Sequence, residues 1–144
     1  MTFIRQHGDC SISDDAQRLD LDMIHAFISA SYWAAGRTRA QVERAISRSL
    51  CLGLYAGDGA QIGFARVVTD TVAVGHICDV FVLPAHQGKG LGKLLVRALL
   101  DHPDLSGVGR LTLNTSDAHG LYAQFGFMPL AHADAAMELR RTHP

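Results

Sequence analysis

The stretch that most constrains the fold runs from residue 72 to residue 99. A β-branched run, Val72 to Leu83, stops at Pro84, and a glycine-rich turn follows, Gln87-Gly88-Lys89-Gly90-Leu91-Gly92. Leu91, Leu94, Leu95, Ala98 and Leu99 then recur at helical spacing up to His102-Pro103. A strand, a glycine turn and a helix must therefore follow one another directly. Glycine lets a backbone approach a ligand closely. The first N–H groups of a helix lack internal partners and sit at the positive end of its dipole. Together they make an anion site suited to phosphate. Lys89 and Lys93, the only two lysines of the chain, fall in the same place. A glycine turn that enters a helix and holds no ligand is the plain alternative. Two familiar phosphate loops do not fit. GxxxxGK[ST] is absent, and GxGxxG counted from Gly88 meets Lys93 where it needs glycine. A dinucleotide fold would also place this unit at its start, not after several strands.

The rest of the chain frames that unit. Its 144 residues are one domain's length, and residues 1–144 are read as a single domain. Residues 2–14 look strand-like. Leu21, Ile24, Phe27, Ile28 and Tyr32 recur at helical spacing between Asp20 and Ala35, with Gly36 to end the helix. Thr38-Arg39-Ala40-Gln41 reads as a capping box opening a second helix through Val42, Ala45, Ile46 and Leu50. Three short apolar runs then suggest an antiparallel meander: Leu50 to Tyr55, Ile62 to Thr69 and Val72 to Leu83. After the Leu-rich helix come a strand, Leu111 to Asn114, and a short helix, Asp117 to Phe125, closed by Gly126. A strand pair, Phe127 to Leu130 and Ala136 to Leu139, completes the reading. The expected order is β-α-α-β-β-β-α-β-α-β-β, an α/β or α+β domain around one central sheet.

Composition narrows the partners. Thirteen Lys plus Arg against fourteen Asp plus Glu leave a net charge of −1, so bulk electrostatics gives no reason to expect nucleic acid or an anionic membrane. Cys10, Cys51 and Cys78 form no CxxC pair, so no metal site is expected and they read as reduced core residues. No signal peptide is visible and no run approaches the ~18 apolar residues of a membrane span. The cytoplasm is the expected compartment. His7, His86, His102, His132 and His143 are expected at the surface and His25 on its helix's exposed edge.

Two elements of the sequence resemble the GNAT superfamily of N-acetyltransferases. One is a strand, then Q/R-x-x-G-x-G/A, then a helix, matched by Gln87-x-x-Gly90-x-Gly92 after Val80-Phe81-Val82-Leu83. The other is A-x-x-L-Y-x-x-x-G-F, matched at every fixed position by Ala118, Leu121, Tyr122, Gly126 and Phe127. The resemblance implies a GNAT-type mixed central sheet, splayed where the third meander strand and the strand Leu111 to Asn114 diverge. It implies acetyl-CoA as acyl donor and no metal. The pyrophosphate would lie on the backbone of Gln87, Gly88, Lys89, Gly90, Leu91, Gly92 and Lys93. The pantetheine arm would pair with Val80, Phe81 and Val82 like an added strand. The family's cofactor-contacting Asn stands three residues before the alanine of the second element. Here that position is Thr115, and Asn114 is its neighbour.

The resemblance also assigns roles. Tyr122 matches the general acid, and a phenol of pKa ~10 keeps its proton at pH 7 to give to a leaving thiolate. The attacking amine must lose a proton, and Asp79 and His76 lie on the strand that carries the acetyl site. Asp79 is unusual in the apolar run Ile77-Cys78-Asp79-Val80-Phe81-Val82, where a buried carboxylate is costly unless paired or functional. It is either a base, water relay or substrate contact, or the partner of an arginine such as Arg66. His76 is a second candidate base, and His119 is a further residue that could face the site. Tyr32, Trp33 and Arg37, crowded between the first two helices, are the candidate acceptor-binding residues. The leading reading is acetyl transfer to a primary amine of a small molecule. The alternatives are a protein or peptide N-acetyltransferase and a catalytically silent acyl-CoA-binding module. A homodimer stays open.

Overall fold

A computed structural model describes residues 2–141. The described residues divide into two compact units, residues up to Asn114 and residues from Thr115. The first holds one six-stranded sheet in sequential order: β1 (Ile4–His7), β2 (Cys10–Ser13), β3 (Leu50–Tyr55), β4 (Gln61–Thr69), β5 (Val74–Val82) and β6 (Arg110–Leu113). Neighbours are antiparallel from β1 to β5, and β5 pairs with β6 in parallel. A parallel neighbour needs a crossover, supplied by α3 (Leu91–Leu100). The expected mixed α/β fold is what forms.

Two helices cover one face. α1 (Leu21–Ser29) starts where the Asp20 side chain accepts from the Met23 N–H. α2 (Arg39–Ser47) starts on the expected Thr38/Gln41 capping box, both bonds of which are present. Ile24 and Ile28 of α1 and Val42 of α2 join Cys51, Phe64 and Phe81 of the sheet in one buried cluster. Residues of the opposite alternation, Leu52, Leu54, Ala65 and Val67, are fully buried on the other face, and α3 packs on β3, β4 and β5 through Leu95, Val96, Ala98 and Leu99.

Three expectations are corrected. The first strand is a hairpin, because Gly8 takes φ 59° in a two-residue turn between β1 and β2. The first helix stops at Ser29 rather than Ala35. The Ser31 hydroxyl donates to the Ile28 carbonyl at 2.6 Å and accepts from the Ala34 N–H, so the side chain replaces the next helical bonds. The final strand pair, Phe127–Leu130 and Ala136–Leu139, is absent among the described residues. The second unit holds α4 (His119–Ala123), ended by Gly126 at φ 94°, and a single 3-10 turn at Ala133–Ala135. Met128, Leu130, Met137 and Leu139, which lie in the two segments expected as strands, are 50–97% exposed. Without burial, extended pairing has little to offset its ordering entropy.

His102, expected at the surface, is buried at the end of α3. Its Nε2 lies 2.8 Å from Asp14 Oδ2, and its ring packs 5.0 Å from Phe3. Asp14 Oδ1 also accepts from the Phe3 N–H at 2.8 Å, so one carboxylate ties the amino-terminal hairpin to the α3–β6 connection. His25 Nε2 meets the Arg37 carbonyl at 2.9 Å. His143 lies outside the described residues. His102→Ala should lower stability by about 1–3 kcal/mol in urea unfolding, since it strands part of a buried hydrogen-bonded group. Arg39→Ala, which removes only the exposed pairs to Asp22 and Glu43, should cost about 0–1 kcal/mol.

Candidate active site

The site is organised by an irregularity in β5. Arg66 of β4 stands opposite Asp79, and Val67 stands opposite Ile77, so Cys78 is an extra residue bulged out of the ladder. In a regular strand, residues 76 and 79 would point to opposite faces. Here His76 pairs with Val68 and Asp79 with Arg66, and Val68 and Arg66 share a face. The bulge thus brings both candidate bases to the face covered by α1 and α2. Pairing of β5 with β6 runs only from Val74 to Ile77, while β5 continues to Val82. From Cys78 onward β5 has no strand partner on that side among the described residues, so the segment containing Val80, Phe81 and Val82 is an open edge.

Asp79 is 4% exposed and fully engaged. Its Oδ2 accepts from Arg66 Nε at 2.6 Å and its Oδ1 from Trp33 Nε1 at 2.7 Å. Arg66 Nη1 donates to Ser49 Oγ at 3.1 Å, and Ser49 Oγ donates to the Ala45 carbonyl. A continuous chain of bonds therefore joins α2, β4, β5 and the loop after α1. Burial alone would lower the Arg66 pKa, but the hydrogen bond and charge of Asp79 outweigh it and hold it raised. Burial pushes the Cys51 thiol up to about 12 and also raises Cys78, so neither is a thiolate nucleophile at neutral pH. The ion pair weighed from the sequence is present, and Trp33 is bound to the same carboxylate.

Aromatic rings extend the wall. Phe27 stacks on Phe81 at 3.9 Å and 8°, Trp33 lies 6.4 Å from Phe27, and Tyr32 meets Trp33 edge-on at 5.2 Å. Beside Asp79 is a small pocket, partly open to solvent, walled by Ile28, Val42, Ala45 and Ile46 with Arg37, Arg66 and Asp79. Of the residues expected to act together, Trp33, Arg37 and Asp79 thus meet around one cavity or one carboxylate, with Tyr32 against Trp33. His76 shares the face, but its Nδ1 lies 2.7 Å from Thr112 Oγ1. Sequence reasoning missed Phe27 and Ser49 as parts of this site. Phe27 carried a signal, as a large apolar residue one helical turn before the aromatic loop.

The glycine turn has the expected build. Gly88 (φ 81°) and Gly90 (φ 76°) are left-handed, and Gly90 caps α3 without any side-chain bond. The first α3 amides, at Leu91, Gly92 and Lys93, therefore lie at an uncapped helix start. A Cβ built on Gly88, Gly90 or Gly92 would meet nothing within 4 Å. Gln87 Nε2 donates to the Val82 carbonyl at 2.9 Å and ties the turn to the open end of β5. Lys89, Lys93 and Asn114 are exposed. In the second unit Tyr122 is buried, with its ring 5.7 Å from Phe127. Among the described residues no group of three or more His, Cys, Asp or Glu could hold a metal ion.

The family model described as "Acetyltransferase (GNAT) family" matches residues 20–127. The chain belongs to the GNAT acetyltransferase family. A GNAT-family protein from Xanthomonas campestris pv. campestris superposes with a TM-score of 0.89 at 44% identity, covering 94% of each chain. A protein of Gibberella zeae named as a candidate acetyltransferase is 32% identical over 140 residues, 81% of this chain and 77% of the relative. Glucosamine 6-phosphate N-acetyltransferase 1 of Oryza sativa subsp. japonica is 32% identical over 84 residues, 58% of this chain and 51% of that protein. GNAT enzymes use acetyl-CoA as donor, and acetyl transfer is the chemistry of this chain's family.

Two outcomes check the geometry. Asp79→Asn should stay folded but lose about 1–3 kcal/mol in chemical denaturation, because Asn still accepts from Trp33 but faces the Arg66 guanidinium without charge. Gly92→Leu should leave the melting temperature near wild type, since Gly92 is helical and its Cβ direction is empty. Titration of that variant with acetyl-CoA should show about tenfold or greater loss of affinity, and unchanged affinity would remove the turn as the phosphate site.

Proposed function

We propose that this chain, acting over residues 1–144 as one acetyltransferase domain, transfers the acetyl group of acetyl-CoA to a primary amine of a small molecule. The match of one family model across residues 20–127, which takes in both the glycine turn and Tyr122, is the observation that carries this reading. The pyrophosphate lies on the amides from Gln87 to Lys93, with Lys89 and Lys93 adding charge, and Asn114 contacts the cofactor. The pantetheine arm pairs with Val80, Phe81 and Val82, on the edge that β6 leaves open. A strand N–H there stabilises the oxyanion as the amine attacks the thioester carbon. The C–N bond forms, the tetrahedral intermediate collapses, and the C–S bond breaks to release CoA.

Two proton movements accompany these steps. Tyr122 gives its phenolic proton to the leaving sulfur, a role carried by the A-x-x-L-Y-x-x-x-G-F element. The amine loses its proton by way of water to the polar groups of β5, Asp79 and His76. Asp79 keeps its place in doing so, because moving off either bond would strand the buried Arg66 guanidinium or release Trp33. Tyr32, Trp33 and Arg37 receive the acceptor. The cytoplasm suits three free cysteines, and no helix among the described residues is long and apolar enough to cross a membrane.

Tyr122→Phe tests the acid. Shape is nearly preserved, so acetyl-CoA affinity should hold while single-turnover acetyl transfer falls by roughly 10- to 1,000-fold, at or just below the range of positioned acid catalysis. Single turnover is the right measurement because slow product release can mask the chemical step. Equal single-turnover rate constants for Phe and Tyr would take Tyr122 out of the mechanism.

A further inference from the structure

The small pocket beside Asp79 carries an unbalanced charge. Three ionic side chains line it, Arg37, Arg66 and Asp79. The charge of Asp79 is paired with that of Arg66 at 2.6 Å, an ion pair whose members, Arg66 and Asp79, are 12% and 4% exposed. The Arg37 guanidinium has no carboxylate within ion-pair distance among the described residues. The nearby acids of α1 and α2, Asp22 and Glu43, are both held by Arg39. Arg37 is half-buried where it lines the pocket, and its guanidinium keeps five donors to offer.

Arg37 is also firmly placed. His25 Nε2 contacts its carbonyl, its N–H donates to the Ala34 carbonyl, and the preceding Gly36, at φ 79°, donates to the Ser29 carbonyl at 3.0 Å. None of these bonds uses the side chain. The fold therefore fixes the backbone at Arg37 from three directions and leaves the guanidinium unspent at the pocket that Arg37 lines. Planar guanidinium recognises oxyanions by paired hydrogen bonds, carboxylate and phosphate above all.

We propose that Arg37 is an oxyanion subsite, and that the acceptor is an amine that also carries a carboxylate or a phosphate. This rests on the acetyl-transfer reading, because it makes the cavity part of the acceptor site. The amine is presented toward β5 while the anion is held at Arg37, so one end of the acceptor positions the other. Neutral and polycationic amines lack the group that Arg37 holds.

The test reads the anion directly. Trp33, the only tryptophan of the chain, is bonded to a carboxylate lining the cavity, so its fluorescence reports on the site. Inorganic phosphate and acetate are titrated separately at constant ionic strength, against wild type and Arg37→Gln, with acetyl-CoA absent and then saturating. Arg37→Gln should melt like wild type, since the side chain holds nothing in the fold. A saturable change is expected with at least one anion, weakened about tenfold or more in Arg37→Gln and retained with acetyl-CoA bound. Whichever of phosphate and acetate binds more tightly names the group. A response that survives Arg37→Gln, or no saturable response to either anion, overturns the subsite. A response abolished by acetyl-CoA places the donor's phosphates at Arg37 and overturns the acceptor assignment. Binding of acetyl-CoA to wild type is scored independently. Its absence beside an intact Arg37-dependent response removes the acetyl-transfer reading and with it the acceptor assignment, leaving a bare oxyanion site. Its presence without any anion response removes the subsite alone.

Discussion

One extra residue in β5 sets the geometry of this protein's candidate site. With Cys78 bulged between the pairs Arg66↔Asp79 and Val67↔Ile77, the strand changes phase. Asp79 and His76, an odd number of positions apart, come to share a face. Pairing with β6 ends at Ile77, just before the bulge, and the rest of β5 stays in register with β4 while leaving its other edge open. A bulge bends its strand and raises the local twist, which is what a sheet needs in order to part. An antiparallel ladder on one side and a parallel neighbour reached by a crossover helix on the other let the two sides of β5 diverge without breaking the core.

The buried ion pair makes sense within that frame. Burying an ion pair such as Arg66 and Asp79 costs desolvation that can exceed their attraction, so stability alone is a weak reason for it. A buried charge pair is nonetheless directional, and this one ends at Trp33 Nε1. Trp33 lies in a loop without regular structure, between two helices of nine residues each. A hydrogen bond to a carboxylate that is itself held in the sheet gives that loop a fixed point, and the stacked Phe27 and Phe81 give it a floor. The aromatic wall is thereby referenced to the same strand whose open edge is proposed to hold the donor.

What could be read from the sequence was what local chemistry decides. The capping box at Thr38, the three apolar runs of the meander, and the run from Pro84 through the glycines into α3 are self-contained signals, and each stands in the structure where expected. The end of α1 was not legible, because it turns on one hydroxyl: Ser31 captures the Ile28 carbonyl, a choice that helical periodicity cannot register. The bulge was illegible for a similar reason. No glycine or proline marks Cys78, and only the pairing with β4 reveals the change of phase. The last two strands show the converse failure. Alternating apolar residues at 128, 130, 137 and 139 specify a strand only where a surface buries them, and sequence alone does not say whether one does.

The donor and acceptor halves of the proposed reaction draw on different parts of the chain. Backbone groups dominate the donor side: the uncapped amides at the start of α3, the left-handed glycines and the open edge of β5. Such groups are shared by any sequence that makes the same turns. Side chains of one short loop dominate the proposed acceptor side, and there a single exchange changes the charge of a small pocket. In the proposed reaction, donor binding is thus a matter of conformation and acceptor choice a matter of composition at a few positions. Arg37 carries the most information of these, because its backbone is fixed by the loop and its charge is not used by the fold. A residue ordered at the main chain and unspent at the side chain is where a conserved architecture can acquire a particular substrate.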